Sequence, residues 1–134
     1  MNSVEYRYKA AIDRWIDGDT VDLYVDLGFH IYAKTRFRLY GIDTPERGHA
    51  LWGAATDHAE LMAPVGTDVQ IDVFKDADKY GRWLVNIRVG DECVNDSLVA
   101  AGLAVPYYGS GSKAWNEAIH EGLAAEYVGD RPKS

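Results

Sequence analysis

Polar and apolar residues alternate along the first half of the chain. In TVDLYV (20–25), Val21, Leu23 and Val25 fall on one face and Thr20, Asp22 and Tyr24 on the other, which predicts a half-buried strand. In TRFRLYG, Phe37 and Leu39 share a face while Arg36, Arg38 and Tyr40 share the opposite one. VEYRYKAAIDRWI reads as an earlier strand closed by the tight turn IDGD, and DLGFH supplies a Gly-centred hairpin turn. Helical spacing begins after Pro45: in HALWGAATDHAELMA, Leu51, Ala54, Ala55, His58 and Met62 recur at three- and four-residue steps, until Pro64 and Gly66 end the pattern. VQIDVF (69–74) and WLVNIRV (83–89) read as two more strands joined by the polar turn KDADKYGR. VNDSLVAAGLA predicts a short helix with Gly102 at its C-terminal cap, and SKAWNEAIHEGLAAEY a last helix with Ser112 as cap and Trp115, Ala118, Ile119 and Leu123 on one stripe. GDRPKS is expected to be a tail.

Three strands, a helix, two strands and two helices is the order of an OB-fold. The expected class is therefore α+β, mainly β: a five-stranded OB-fold β-barrel with about three helices. The 134 residues, 47% of them hydrophobic, suffice for one domain with its own core, about residues 4–127, with 128–134 as tail. No apolar run approaches the ~20 residues needed to span a bilayer. The N-terminus lacks the ~7–15-residue apolar core of a secretory signal, so the chain is expected to be cytoplasmic. A lone cysteine, Cys93, excludes an intrachain disulfide and a Cys-based zinc site, and the four histidines show no metal-ligand spacing.

The candidate chemistry lies at the strand ends. Asp19, two residues before Val21, has the parity of the inward face; Asp43, four after Leu39, has it too if the strand continues. Two carboxylates aimed at the rim of a barrel repel one another and lose hydration unless a cation joins them. Hard divalent cations prefer oxygen ligands, and Ca²⁺ accepts ~6–8 of them in irregular geometry with waters. The carbonyl of Thr44 is a third ligand, since Pro45 biases Thr44 towards an extended backbone. Each piece also has an ordinary reading. IDGDT can be an Asp-Gly turn, DTPE a helix start with Thr44 as cap and Pro45 in first position, and KYGR a polar hairpin loop.

Taken in order, IDGDTVDL, FRLYGIDTPE and DKYGRWL resemble the staphylococcal-nuclease-like (thermonuclease) family, and VNDSLVAAGLA is similar to that family's helix after the fifth strand. The resemblance spans about residues 9–127. It implies a calcium-dependent phosphodiesterase that cuts DNA and RNA with little sequence preference, single strands favoured, leaving 3′-phosphate and 5′-hydroxyl ends. It further implies Asp19, Asp43 and the main-chain oxygen of Thr44 as ligands of one Ca²⁺. Arg38 and Arg82 would be the catalytic arginines, and Glu46 the residue that activates or positions the attacking water. Lys79 and Tyr80 would contact a phosphate, and Tyr107 or Tyr108 would flank the nucleotide, at a shifted spacing. The chemistry agrees: charge builds on phosphoryl oxygens during attack, and a guanidinium fork binds two such oxygens while staying charged. A non-catalytic OB-type module that binds nucleic acid or protein is the alternative. Nothing in the sequence points beyond a monomer, and no membrane partner is expected.

The chain departs from the family's pattern in three ways. The 20–38 segment is longer, so its LGFHIYAK hairpin is expected to reach further beside the site; the stretch after Glu46 is shorter; and the net charge is −7. Steering towards a polyanion should then be weak. The expected dependence of binding on salt corresponds to about two to four phosphates, from Arg38, Arg82, Lys79 and Arg36. Titration of a labelled single strand at increasing salt checks this, and a slope several times steeper would reveal a basic patch that sequence does not announce.

Overall fold

A computed structural model describes residues 4–77 and 81–107. In chain order the elements are β1 (Val4–Asp17), β2 (Thr20–Asp26), β3 (Tyr32–Leu39), β4 (Ile42–Asp43), α1 (Trp52–Met62), β5 (Asp68–Ala77), β6 (Trp83–Val89), β7 (Glu92–Cys93), α2 (Val94–Ala100) and β8 (Val105–Pro106). The expected final helix, SKAWNEAIHEGLAAEY, lies outside the described residues, which contain two helices.

Five long strands close into a barrel. Antiparallel neighbours run β3-β2-β1-β5-β6, and a parallel contact between β3 and β6, Phe37–Trp83 to Leu39–Val85, joins the ends. This is the OB-type arrangement, α+β and mainly β, with its edges removed by closure. The period-two pattern forms it: Val21, Leu23, Leu39, Ile71, Val85 and Ile87 are all fully buried in one core.

β1 breaks the simple alternation. Its register with β2 shifts between Ile12 and Arg14 and again between Trp15 and Asp17. The first shift resets the parity, so Ile12 and Trp15 are both buried although three positions separate them. Trp15 Nε1 then donates to the Ala63 carbonyl at 2.9 Å, pinning the C-terminus of α1 to the barrel.

α1 begins at Trp52, not at the DTPE segment, so the reading of DTPE as a helix start does not hold. Its buried positions are Ala55, Thr56 and Ala59, with Leu51 and Ala63 just outside its ends. The expected stripe is thus turned slightly, and His58 instead shares a 2.8 Å hydrogen bond with Ser97 of α2. Small residues let α1 lie against β1. A Cβ on Gly18 would stand 3.0 Å from Ala55 Cβ and 3.1 Å from Thr44 Cγ2.

α2 ends in a Schellman motif. Gly102 takes φ +75°, Leu103 N–H donates to Leu98 O at 2.9 Å, and Gly102 N–H to Val99 O at 3.0 Å. Within α2, Asn95 is 2% exposed and fully engaged: Nδ2 donates to the carbonyls of Tyr40 and Val85, both at 3.0 Å, and Oδ1 accepts from Ile87 N–H at 3.2 Å. One side chain thereby joins α2, β6 and the chain leaving β3.

The β2–β3 register runs from Thr20–Arg38 to Asp26–Tyr32. The hairpin tip, 27–31, therefore lies about 20 Å along the ladder from Arg38. The expectation that LGFHIYAK reaches beside the site is corrected by this register: the extra residues lengthen the opposite end.

The packing makes two positions sensitive to substitution. Replacing Asn95 by Ala removes three buried hydrogen bonds, to Tyr40 O, Val85 O and Ile87 N–H, and should cost about 3 kcal/mol; denaturant unfolding checks it, and a loss below about 1 kcal/mol would show that water replaces the network. Gly18→Ala should cost about 1–3 kcal/mol by pushing α1 or Thr44 outward. The same unfolding experiment reads it, and an unchanged midpoint would mean that the turn relaxes freely.

Candidate active site

The turn joining β1 and β2 is two residues long, Gly18–Asp19, closed by the Asp17–Thr20 pair. Outside it, the Asp17 carboxylate accepts from Trp52 Nε1 at 2.6 Å, which fixes the start of α1 against the turn. Asp19, within it, is only 5% exposed.

A carboxylate this deep needs partners: three groups supply them, and a fourth bonds the main-chain carbonyl. Oδ2 accepts from Arg38 Nη1 at 3.0 Å and from Thr44 N–H at 3.1 Å; Oδ1 accepts from the Thr20 hydroxyl at 3.2 Å; and the Asp19 carbonyl accepts from Leu39 N–H at 2.9 Å. The last bond extends the β2–β3 ladder to the turn, so Arg38 and Asp19 meet as neighbours across it.

Asp43 reaches the same place by another route. β3 stops at Leu39, and Tyr40 and Gly41 form a turn with Gly41 at φ +77°. Continuing the strand parity through this turn is therefore wrong: Ile42 points into the core and Asp43 points away from it. Tyr40 stacks on Phe74, with ring centroids 3.8 Å apart, and donates its N–H to Val85 O at 2.8 Å, which fixes the turn. Short pairing of β4 with β8, Asp43 opposite Val105, holds the chain just beyond the turn. The result brings Asp43 Oδ1 to 3.4 Å from Arg38 Nη2, which also donates to Ile42 O at 3.0 Å.

The cation joining the two carboxylates is thus Arg38 itself, with a side chain 15% exposed. Sequence alone asks for a cation between the acids and gives the arginine a separate task. Arg82 lies next to this group, Nη1 3.4 Å from the Thr20 hydroxyl. Thr20 is not among the residues that the sequence singles out; its adjacency to Asp19 in IDGDT is the available signal. The Tyr107 ring is 5.9 Å from the Arg38 guanidinium carbon, and Tyr107 N–H donates to Gly41 O at 2.8 Å. Glu46 is exposed on the loop between Thr44 and Leu51, whose start is anchored by buried Thr44 and Pro45. Lys79, Tyr80 and Tyr108 lie outside the described residues.

The donor set can be weighed against the needs of a hard divalent ion. Among the described residues no group of three His, Cys, Asp or Glu side chains gathers. Asp19 and Asp43 nevertheless converge on one guanidinium, and their carboxylates offer oxygen donors alone. Thr44 Oγ1 is buried without a hydrogen-bond partner among the described residues. Two carboxylates completed by carbonyl oxygen and water fit Ca²⁺, which tolerates irregular oxygen shells, and not a nitrogen- or sulfur-seeking metal.

Residues 36–128 match the family described as Staphylococcal nuclease homologue. The chain is 33% identical over 108 residues to Protein ParB of Escherichia coli, covering 74% of this chain and 57% of that protein. It is 32% identical over 99 residues to the Thermonuclease of Staphylococcus intermedius, covering 69% of this chain and 56% of that protein. With Endonuclease YhcR of Bacillus subtilis it shares 29% over 119 residues, 79% of this chain but 9% of that much longer protein. The chain thus spans little more than half the length of two of these relatives and a small part of the third. The match over 36–128, which takes in Arg38, Asp43, Thr44, Glu46 and Arg82, carries the conclusion: the chain belongs to the staphylococcal nuclease family.

Proposed function

We propose that this chain is a calcium-dependent nuclease that hydrolyses phosphodiester bonds of DNA and RNA with little sequence preference. The observation that supports it most is the convergence of Asp19, Asp43 and Arg38, with Arg82 beside them across Thr20. The relatives named Thermonuclease and Endonuclease YhcR support the same reaction class. Unpaired strands are the favoured substrate, and the chain acts as a monomer.

Asp19, Asp43 and the Thr44 carbonyl would hold the ion, which when bound would supply fixed positive charge at a phosphate oxygen. Arg38 and Arg82 bind the remaining oxygens, and their charge counts most when attack adds negative charge there. Asp19 and the Ile42 carbonyl keep Arg38 from swinging into solvent, so little reorganisation is needed at the moment of reaction. Glu46 takes or directs a proton of the attacking water, worth ~10²–10⁴-fold in rate. A water oxygen bonds to phosphorus, the bond from phosphorus to the 5′ oxygen breaks, and that oxygen gains a proton. The products are a 3′-phosphate and a 5′-hydroxyl.

Digestion of single-stranded DNA with Ca²⁺, with EGTA, and with Ca²⁺ plus the Arg38→Ala variant tests the proposal. EGTA should abolish cleavage, and Arg38→Ala should lower kcat by about 10²–10³-fold. Mass spectrometry of the fragments should find 3′-phosphate ends. A sample that binds DNA in Ca²⁺ but never cuts it would overturn the nuclease in favour of a non-catalytic binding module.

A further inference from the structure

We infer that the outward row of β3 carries the substrate strand away from the candidate active site, along Arg38, Arg36, Lys34 and Tyr32 towards the β2–β3 hairpin. The inference rests on the nuclease reading for the identity of the ligand, a single-stranded nucleic acid, and adds to it a path and a polarity of contacts: phosphates first, bases last.

Parity sets the row. Phe37 and Leu39 point into the core, so Arg38, Arg36, Lys34 and Tyr32 stand on the opposite face. Successive members are two residues apart, about 6.7 Å along a strand. That is about twice the ~3.4 Å rise of a stacked nucleic-acid strand, so a stretched, unstacked strand meets one cation per phosphate.

The cations are held for such a role. Arg36 grips Asp22 with a fork, Nε to Oδ1 at 2.7 Å and Nη2 to Oδ2 at 3.2 Å, while its side chain stays 47% exposed. Asp22 is nearly buried, and Arg14 approaches it from the other side at 3.6 Å. The Arg36 hydrogen bond is the main reason that this carboxyl is held below its usual range, against the opposing effect of burial. Two arginines share one covered carboxylate, which leaves the surface above it positive. Lys34 pairs with Asp13 at 3.1 Å, lies 5.7 Å from the Tyr24 ring centroid, and is 55% exposed.

Beyond the cations the surface turns aromatic. Tyr24 and Tyr32 are 42% and 61% exposed and line an open cleft of about 580 Å³ with Lys9, Gln70 and Arg88. Exposed tyrosines bordering a cleft suit base stacking, worth ~1–3 kcal/mol per base and tolerant of sequence. Asp26 and Asp68 also line the cleft. They temper the attraction to phosphate and can accept from exocyclic amino groups of bases.

The test is fluorescence anisotropy in EGTA, using labelled oligothymidines of about four and about twelve nucleotides, within the ~4–16 spanned by one OB-fold. Wild type should bind the long probe more tightly than the short one. Lys34→Ala and Tyr32→Ala should each weaken the long probe roughly tenfold, leave the short probe within about twofold, and leave the unfolding midpoint unchanged. Lys34→Ala should lower the salt slope by about one and Lys34→Arg should restore it. Equal affinity of wild type for both probes, or variants that bind the long probe as wild type does, would overturn the inference. Wild-type cleavage, measured separately in Ca²⁺, decides the nuclease reading: a track without cleavage sinks that reading alone, and cleavage without a track sinks this one alone.

Discussion

The Asp19 carboxylate, shut away from water, constrains everything around it. A buried carboxylate left unpaired costs several kcal/mol, so the fold must bring donors to it from inside. They arrive from three separate segments: Thr20 from the start of β2, Arg38 from β3, and the Thr44 N–H from the loop beyond β4. Satisfying one side chain therefore fixes the β1–β2 turn, the end of β3 and the direction of the chain towards Glu46. The parallel contact that closes the barrel involves Phe37 to Leu39, which bracket Arg38. Closure and candidate chemistry occupy the same few residues, and that is why the site is held so firmly.

Support comes from behind as well. Asn95 binds the Tyr40 carbonyl, and Tyr40 stacks on Phe74, so the turn that sends Asp43 back towards Arg38 is tied to α2 and β5. Gly18 lets α1 approach the β1–β2 turn, and the Trp52–Asp17 bond keeps it there. The groups proposed to act on one phosphate are thus held by a packed core and buried hydrogen bonds, while Glu46 sits on an exposed loop with a buried start at Thr44 and Pro45. Reactive geometry is best held by rigid elements, and of the proposed catalytic groups Glu46 is the one carried on an exposed loop.

Much of this is legible in the sequence. Alternation in TVDLYV and TRFRLYG marks the inward faces, and WLVNIRV matches β6 from end to end. Parity predicts a covered Asp19, and it is 5% exposed. Yet the residue lies in the β1–β2 turn, and its carboxylate meets Thr20 and Arg38, a pair on the other face from Val21. Parity fails for Asp43 because Gly41 at positive φ breaks the strand, and parity has no meaning across a turn. For the same reason the bulges in β1 are invisible in sequence: Ile12 and Trp15 look like opposite faces until the register shift between Ile12 and Arg14 brings them together. The direction of the long hairpin depends on pairing register, and Asn95 satisfies carbonyls far away in sequence; neither leaves a local signature. That Arg38 is the cation between two acids can be known only from their meeting in space.

Net charge misleads for a related reason. Counting residues gives −7, as though every carboxylate faced solvent equally. On the barrel's outer face this is untrue. Asp22 lies beneath Arg36 and Arg14, and Asp72, 4% exposed, lies beneath Arg88 at 2.9 Å and Arg7 at 3.4 Å. In each case the anion is the covered partner and the guanidiniums are the exposed ones, with side chains between 38% and 72% accessible. A phosphate in contact with this surface meets the arginines first. At physiological salt, charges beyond about 8 Å are largely screened, so distant acidic residues weigh little against near ones. An acidic chain can therefore present a locally cationic face, with covered aspartates holding exposed guanidiniums in place.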